Sequence, residues 1–434
     1  MRFVSTRDAS RRVTLSEAIR AGIAPDGGLF VPERMPRLSL ADFDGAHTLP
    51  ELAGRWIAPF CEGDPLAERL GEVVGDAFSF PAPLRRIAAE PMPVSVLELF
   101  HGPTAAFKDF GARFLAACLE RQPHDPGRPV TILVATSGDT GGAVAAAFHG
   151  RPWARVVVLY PKGLVSPRQE KQLTCWGGNV RALAVRGTFD DCQRLVKEAF
   201  ADAALRARFE LSSANSINVG RLLPQAAYYA AASLERWRAD GAAPAFIVPS
   251  GNLGNVLACL WARGAGLPIG AVELAHNANR TVPDFLGSGE WRPRPSVATL
   301  ASAMDVGNPS NMERLRHLHP DWRELARSAR AHSVTDEEIR LAIRRDHAEW
   351  GETWCPHTAT AAHVYRTLPA ELRAAHHWVL VATAHPAKFE TIVEPLIGCA
   401  VPVPPALAEL LDRPSRADEI EASLDALRGS LLSG

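Results

Sequence analysis

Short runs of β-branched and apolar residues alternate with alanine-rich helical patterns through most of this chain. Seven runs have the length and composition of buried strands, and helical patterns lie between most of them. The runs are VSVLELF, VTILVAT, ARVVVLYP, VRALAVRG, AFIVPS, IGAVELA and HWVLVATA. Strands that alternate with helices form parallel sheets covered by helices on both faces. The order of the elements therefore predicts an α/β protein built on parallel sheets.

The composition excludes several functional classes. The 434 residues are 47% hydrophobic with a formal net charge of −1, which suits two or three globular domains and gives no electrostatic footprint for nucleic acid or an anionic membrane. The N-terminus lacks the apolar core of a signal peptide, and no apolar run approaches the roughly 18 residues of a membrane span. The seven cysteines form no C-x-x-C pair, and no H-E-x-x-H occurs. We therefore predict a cytoplasmic protein with free thiols and no metal site.

Three of the predicted strands end in loops of small residues that lead into helices. The loops are HGPT at 101–104, SGDTGG at 137–142 and SGNLGN at 250–255. Such loops place unpaired backbone N–H groups at a helix N-terminus, where these donors and the helix dipole favour an anion. A tight structural turn is the alternative for any single loop. Because neither a P-loop nor a dinucleotide fingerprint occurs, the loops favour another phosphate-bearing cofactor and an anionic substrate.

Lys108 is one of only five lysines among 47 basic residues. Arginine serves almost everywhere that a plain positive charge is needed, but it cannot lose its proton, whereas lysine can. Lys108 stands in the predicted first turn of a helix beside Phe107 and Phe110, where the helix dipole and apolar neighbours both lower the pKa of a lysine. We interpret Lys108 as an amine suited to a Schiff base with an aldehyde cofactor. The alternative is a surface lysine at a helix end.

Several longer motifs resemble the threonine synthase family. LELFHGPTAAFKDFGARF, ATSGDTGGAVAAAF, NSINVGRLLPQ, VPSGNLGN, AMDVGNPSN and TAHPAKF occur in this order, after an opening VSTRD…APDGGLFVP that is also similar. The resemblance covers nearly the whole chain and implies the pyridoxal-phosphate (PLP) fold type II, which is tryptophan synthase β-like. It implies two parallel-rich α/β domains plus an N-terminal helical extension. The expected parts are an extension over 1–80, a large cofactor domain over 81–110 and 215–400, a small mobile domain over 111–214, and a helical tail over 401–434 packed on the large domain.

The resemblance also implies roles for individual residues. Lys108 would form the Schiff base with PLP, and Thr383 would meet the pyridine nitrogen. One loop would hold the cofactor phosphate: Gly251, Asn252, Leu253, Gly254 and Asn255. A second loop would receive the substrate carboxylate: Ser137, Gly138, Asp139 and Thr140. The candidates for a substrate phosphate, which the forked donors of arginine suit, are Ser213, Asn215 and Arg221.

Four residues fit the family motifs without a defined role. Many enzymes of this fold carry asparagine in place of Asp139, where an amide donates to the phenolic oxygen of the cofactor and an ionised carboxylate cannot. The subgroup with this N-terminal extension carries SGDTG, and a cap on the following helix is one role for the Asp139 carboxylate. Lys162, Lys171 and Lys388 lie in family-like motifs, and two of them are candidates for the substrate phosphate or a lid.

The implied reaction converts O-phospho-L-homoserine and water into L-threonine and phosphate, with Lys108 removing and returning the α-proton. A phospholyase or a threonine or serine dehydratase on the same fold is the alternative, and a second anion site would discriminate between them. A binding protein that has kept the fold and a nicotinamide-dependent dehydrogenase are rivals from other classes. Lys108 and the missing dinucleotide fingerprint argue against these two. We expect a small-molecule substrate, no nucleic-acid or membrane partner, and a monomer or homodimer.

Overall fold

The computed structural model describes residues 1–87, 94–125 and 127–433. Its strands are β1 (Phe3–Ser5), β2 (Phe30–Pro32), β3 (Leu84–Ile87), β4 (Val94–Glu98), β5 (Val130–Ala135), β6 (Ala154–Pro161), β7 (Val180–Arg186), β8 (Glu210–Ser213), β9 (Ala245–Pro249), β10 (Val272–His276), β11 (Arg330–Ser333), β12 (Trp378–Ala382) and β13 (Asp418–Glu421).

Helices connect and cover these strands. The α-helices are α1 (Leu15–Ala21), α2 (Leu49–Ile57), α3 (Leu70–Ala77), α4 (Lys108–Glu120), α5 (Asp139–Phe148), α6 (Pro167–Thr174), α7 (Phe189–Ala201), α8 (Ala203–Arg208), α9 (Val219–Leu222), α10 (Ala226–Asp240), α11 (Gly254–Gly264), α12 (Thr281–Ser288), α13 (Met312–Leu318), α14 (Trp322–Ser328), α15 (Asp336–Trp350), α16 (Pro356–Thr367), α17 (Ala370–Ala375), α18 (Glu390–Ile397), α19 (Pro405–Leu411) and α20 (Leu424–Leu432). Short 3₁₀ helices occupy Leu40–Phe43, Ala58–Cys61, Pro65–Arg69, Leu223–Gln225, Ser302–Met304 and Pro386–Phe389. Within the described residues, no helix has the length and apolar character needed to cross a membrane.

Two sheets form the α/β region. The larger sheet has the order β11-β10-β9-β12-β4-β3, in which β3 runs antiparallel to β4 and the other pairs are parallel. The smaller sheet has the order β13-β7-β6-β5-β8 and its pairs are parallel. All seven predicted strands lie in these sheets, which confirms the α/β class. The division of the chain near residues 110 and 214, and the mobility of a small domain, stay predictions.

The four strands at the sheet edges were not predicted. β3 and β11 end the larger sheet, and β8 and β13 end the smaller one. Their residues are largely exposed or half-buried, whereas every residue of β5, β9 and β12 is buried. A strand that helices cover on both faces has a continuous run of apolar residues in its sequence, whereas an edge strand can carry polar residues. The sequence pattern therefore marks only the strands inside each sheet.

The C-terminal segment divides between the two sheets, which corrects the prediction of a helical tail packed on the large domain. Leu407 of α19 packs in the apolar cluster of the larger sheet, but β13 pairs with β7 of the smaller sheet. Leu427 of α20 packs in the cluster of that same smaller sheet. The sequence pattern did not predict β13 because the strand is polar. Its Glu419 and Glu421 form ion pairs with Arg186 of β7.

The N-terminal extension, which was expected to be helical, shares the main apolar core with the α/β region. It adds a two-stranded antiparallel sheet, β1 with β2, to its helices. Phe3 and Trp56 of the extension are fully buried in the same cluster as Phe110 of α4 and Tyr228 of α10. Trp56 also donates from Nε1 to the carbonyl oxygen of Leu223 at 2.9 Å. The extension is therefore part of the support for α4, the helix that begins at Lys108.

Candidate active site

A cleft lies where the loops of the two sheets meet. It is lined by loops that follow β4, β5, β9 and β12, at the carboxyl ends of the strands, where open parallel sheets bind ligands. The predicted site residues that line it are Lys108, Ser137, Asp139, Thr140, Asn215, Arg221, Gly251, Asn252, Leu253, Gly254, Asn255 and Thr383.

Gly138 and Ser213 do not line the cleft. Gly138 has a φ of 137°, and a Cβ there would lie 2.5 Å from Nε2 of Gln169, so glycine lets the loop pass close to α6. Ser213 Oγ accepts a hydrogen bond from the backbone N–H of Asn215 at 3.3 Å, and Asn215 Nδ2 donates to the carbonyl oxygen of Ala135 at 2.8 Å. Both residues shape the loops that carry their neighbours into the cleft.

Lys108 is the first residue of α4 and lines the cleft. The loop before it is held against the loop after β12, because Phe107 N donates to Thr383 O at 2.8 Å and His385 N donates to Ala105 O at 3.0 Å. Burial lowers the pKa of Lys108 to about 8, although the nearby carboxylate of Asp139 opposes the shift. The neutral, nucleophilic amine is therefore accessible near physiological pH.

The loop of residues 251–255 forms an anion cradle at the N-terminus of α11. Leu253, the N-cap residue, holds a left-handed φ of 64°. Within the described residues, none of the backbone N–H groups from 251 to 256 donates a hydrogen bond. Free N–H groups at a helix N-terminus are the donors that bind phosphate in many proteins. The predicted phosphate loop thus has free donors of the kind that bind a phosphate group.

Two asparagines of this cradle differ in what their side chains offer. Asn255 accepts hydrogen bonds at Oδ1 from the hydroxyl groups of Tyr228 and Tyr229 at 2.7 and 2.9 Å. Its buried Nδ2 has no partner among the described residues, so this amide is free to donate to an anion. Asn252 instead donates from Nδ2 to Ser216 Oγ at 2.8 Å. Its side chain shapes the loop, and only its backbone N–H is free.

Gly251 makes the closest approach in the cradle, because a Cβ there would lie 2.7 Å from Cα of Met304. We expect Gly251→Ala to lower the free energy of unfolding by about 1–3 kcal/mol, since one of the two backbones must shift. Gly254→Ala is the matched control, because its Cβ would meet nothing nearer than Ser216 Cβ at 3.5 Å. Urea unfolding of the cofactor-free variants measures the difference. Equal stability of the two variants would contradict this close approach.

Thr383 follows β12 directly, and its side chain lines the cleft. The residue is buried, and its backbone N–H donates to Thr358 Oγ1 at 3.3 Å. None of the hydrogen bonds found among the described residues uses the Thr383 hydroxyl group. A free hydroxyl group in this position fits the ring-nitrogen partner that the family resemblance implies.

Asp139 does not cap α5, which corrects one of the roles considered for it. The N-cap is Gly138, whose backbone N–H donates to the hydroxyl group of Thr136 at 3.0 Å. The Asp139 carboxylate instead lies 2.7 Å from Nζ of Lys388 and accepts a hydrogen bond from Nε2 of Gln169 at 3.0 Å. The carboxylate is therefore committed to a buried ion pair at the edge of the cleft.

Arg221 is a buried cation with no salt bridge among the described residues. Its guanidinium group donates to the carbonyl oxygen of Ala214 and approaches that of Lys108 at 3.5 Å, while Nε has no partner. Gly111 of α4 permits this packing, because a Cβ there would lie 2.6 Å from Arg221 O. Burial lowers the pKa of Arg221 to about 10, so it stays charged at neutral pH. A buried, unpaired guanidinium group in a cleft is suited to an anionic ligand.

Lys162 and Lys171 lie outside the cleft, which removes two candidates for the substrate phosphate. Lys162 is paired with Glu419 at the edge of the smaller sheet, and Lys171 donates to the carbonyl oxygen of Arg413. Lys388 is fully buried, is not among the residues that line the cleft, and pairs with Asp139. Arg221 is therefore the strongest of the proposed phosphate ligands.

His357 lines the cleft and was not predicted. Its Nε2 accepts a hydrogen bond from the backbone N–H of Ala303 at 3.0 Å, which holds the loop that carries Met304 into the cleft. Burial lowers the pKa of His357 to about 4, so the ring is neutral. The only sequence signal was the segment CPHT at the start of a helical pattern.

Comparisons with known proteins identify the family. Residues 2–78 match the threonine synthase N terminus, residues 81–384 the pyridoxal-phosphate dependent enzymes, and residues 358–430 the threonine synthase C-terminal family. Threonine synthase of Escherichia coli (strain K12) is 40% identical and that of Serratia marcescens 41% identical, covering 100% of this chain and 100% and 99% of theirs.

Solved structures agree with the sequence matches. The crystal structure of threonine synthase from Escherichia coli has a TM-score of 0.89 and 38% identity, covering 100% of both chains. The PLP-bound threonine synthase from Brucella melitensis has a TM-score of 0.88 and 33% identity, covering 99% of this chain and 98% of that one. The chain therefore belongs to the threonine synthase family of PLP-dependent enzymes.

Proposed function

We propose that this chain converts O-phospho-L-homoserine and water into L-threonine and phosphate, with PLP held at Lys108. Family membership establishes the class of enzyme and its cofactor. The observation that supports this substrate is the buried Arg221, which lines the same cleft and has no carboxylate partner among the described residues. The cradle of residues 251–255 suits the phosphate of the cofactor, and Arg221 suits that of a phosphorylated substrate.

The lining residues fit PLP. We infer that the amine of Lys108 bonds the aldehyde, that the cradle of residues 251–255 holds the phosphate, and that the hydroxyl group of Thr383 meets the ring nitrogen. This assignment is supported by the N–H groups of the cradle and the Nδ2 amide of Asn255, which have no partner in the part of the chain that the structure describes. When bound, PLP supplies a sink for the electrons of a bond broken at the α-carbon of the substrate.

Lys108 is suited to move protons at the substrate. With a pKa of about 8, its amine serves as a base and its ammonium form as an acid near neutral pH. We infer that it removes the proton from Cα and returns it at the end of the reaction. A proton leaves Cβ and phosphate leaves Cγ toward Arg221 and Asn215. Cγ then takes up a proton and the hydroxyl group of water adds at Cβ, so that the products are L-threonine and phosphate.

The loop of residues 137–140 is proposed to hold the substrate carboxylate. Ser137 and Thr140 line the cleft at the start of α5, where the helix dipole favours an anion. Gly138 and Ser213 act through the loops that they shape. Holding the carboxylate and the phosphate at separate sites would place Cα of the substrate against Lys108.

Product analysis tests this reaction against the alternative of a phospholyase or dehydratase. The purified protein is incubated with PLP and O-phospho-L-homoserine, and phosphate, threonine and 2-oxobutyrate are assayed together. We expect phosphate and threonine in equal amounts. Phosphate with 2-oxobutyrate would assign a phospholyase on the same fold, and release of no phosphate would exclude this substrate.

Thr383→Val is expected to keep PLP bound but to slow turnover by about tenfold, the equivalent of one hydrogen bond to a charged or polarised group. Valine has nearly the shape of threonine and lacks only the hydroxyl group. Cofactor content, the visible spectrum and kcat measure the effect. Thr131→Val is the control, because Thr131 is buried in β5 away from the cleft. A Thr383→Val variant with unchanged spectrum and kcat would remove Thr383 from the ring-nitrogen role.

We also propose that the protein is cytoplasmic and works as a monomer or homodimer. All seven cysteines are free, and six of them are buried, which suits a reducing compartment. Size-exclusion chromatography with light scattering measures the assembly.

A further inference from the structure

Lys388 and Asp139 form an enclosed ion pair that has no role in the reaction as described so far. Lys388 is 0% exposed and Asp139 is 4% exposed, and Nζ lies 2.7 Å from Oδ1. Nζ also donates to the carbonyl oxygen of Thr104 at 2.8 Å, and Gln169 donates to Asp139 Oδ1 at 3.0 Å. Burying two charges costs several kcal/mol unless both are paired and hydrogen-bonded. These contacts meet that condition.

The pair joins loops that belong to both sheets. Lys388 follows β12 and Thr104 follows β4 in the larger sheet, whereas Asp139 follows β5 in the smaller sheet. Thr104 in turn donates to the carboxylate of Asp109 from its backbone N–H at 2.9 Å and from its hydroxyl group at 2.6 Å. Asp109 directly follows Lys108. These contacts therefore hold the start of α4, which carries Lys108, in place relative to the loop that carries Asp139.

Four titratable or charged groups on the surrounding elements interact electrostatically with Lys108. They are Asp139 of α5, Arg221 of α9, His357 of α16, and Lys388 after β12. Within the described part of the chain, Asp139 is the one negative group of the four, and His357 is neutral. Burial raises the pKa of Asp139, but the charges of Lys388 and Lys108 outweigh it and hold that pKa well below its usual range.

We propose that Lys388 is a positioning residue, which fixes the Asp139 carboxylate and balances its charge, so that Lys108 can exist as the neutral amine and, after it takes up a proton, as the ammonium ion. The ammonium ion arises when Lys108 removes the α-proton of the substrate, so the inference rests on the proposed role of Lys108 as a base. The charge of Lys388 balances that of Asp139. The amine therefore lies beside a neutral pair rather than beside a lone carboxylate, which would hold Lys108 protonated.

Competitive acetylation of the cofactor-free protein over a pH series tests this proposal. Mass spectrometry follows Lys108 and, as an internal reference, the exposed Lys197. We expect Asp139→Asn to lower the pKa of Lys108 by about one unit, because it removes the attracting charge and leaves Lys388 unbalanced. Lys388→Met should raise the pKa of Lys108, because it leaves the negative charge of Asp139 unbalanced. The double variant should return close to the parent value, because both charges are gone, and Lys197 should titrate alike in every variant.

Two results would overturn the proposal. One is a folded Asp139→Asn protein in which the pKa of Lys108 equals that of the parent. The other is a double variant in which the pKa of Lys108 falls as far as it does in Asp139→Asn. If Lys388→Met does not fold, the other two variants carry the test, since neither leaves an unpaired carboxylate in the interior. The labelling uses no substrate. A failure to form threonine from O-phospho-L-homoserine would therefore overturn the proposed function and leave the labelling result standing.

Discussion

Lys108→Ala is expected to lose threonine formation by at least about 10³-fold and to lose the visible absorbance of covalently bound PLP. Lys108 is the one lysine that lines the cleft in the described residues, so no neighbouring amine can replace it. Alanine is tolerated at the first turn of α4, and the fold should persist. Steady-state kinetics and the absorbance spectrum after adding PLP measure the effect.

Lys197→Ala is the matched control for this variant. Lys197 is exposed on α7 and forms no salt bridge among the described residues, so its removal should leave activity and spectrum unchanged. In the parent protein, PLP attachment should accelerate as pH rises toward about 8 and then level off, because burial lowers the pKa of Lys108 to about 8 and the neutral amine reacts. A Lys108→Ala protein with parental activity would contradict the whole assignment of the cleft.

Arg221→Met is expected to lower kcat/KM for O-phospho-L-homoserine by about 10²-fold, the equivalent of two hydrogen bonds to a charged group. Methionine keeps much of the aliphatic volume and removes the guanidinium group. Inhibition by inorganic phosphate should weaken in parallel, because the same group would bind the released phosphate. Kinetics with the substrate and with added phosphate measure both effects.

Binding of L-threonine shows whether Arg221→Met weakens only the recognition of the phosphate or disturbs the structure of the cleft. L-Threonine lacks a phosphate, so its affinity, followed by the change in cofactor absorbance, should stay within about threefold of the parent value if Arg221 serves only the phosphate. Equal losses for threonine and the phosphorylated substrate would instead mean that Arg221 acts by holding the carbonyl oxygen of Ala214.

The sequence predicted those parts of the site that depend on local structure. Lys108 was identified from the scarcity of lysine and its place at a helix start, and the cradle of residues 251–255 from a glycine-rich loop before a helix. Each depends on the geometry of a few consecutive residues. The roles of Thr383 and Arg221 needed the family resemblance, because a threonine after a strand and an arginine in an arginine-rich chain carry no local signal.

Contacts between distant segments could not be predicted in this way. The role suggested for Asp139 as a helix cap was wrong because its partners, Lys388 and Gln169, come from other loops and another helix. His357 was missed because its importance lies in a hydrogen bond to Ala303. Each of these contacts joins residues that no sequence pattern relates.

The sequence by itself determined the α/β class and the seven inner strands, and it predicted Lys108 as the reactive amine. These features follow from local periodicity, from burial on both faces of a strand and from the chemistry of single residues. Only the tertiary structure decided that the extension shares the main core, that β13 joins the smaller sheet, and that Lys388 balances Asp139 beside Lys108. Apolar packing, strand pairing and charge balance depend on distances through space, and folding sets those distances between residues that lie far apart along the chain.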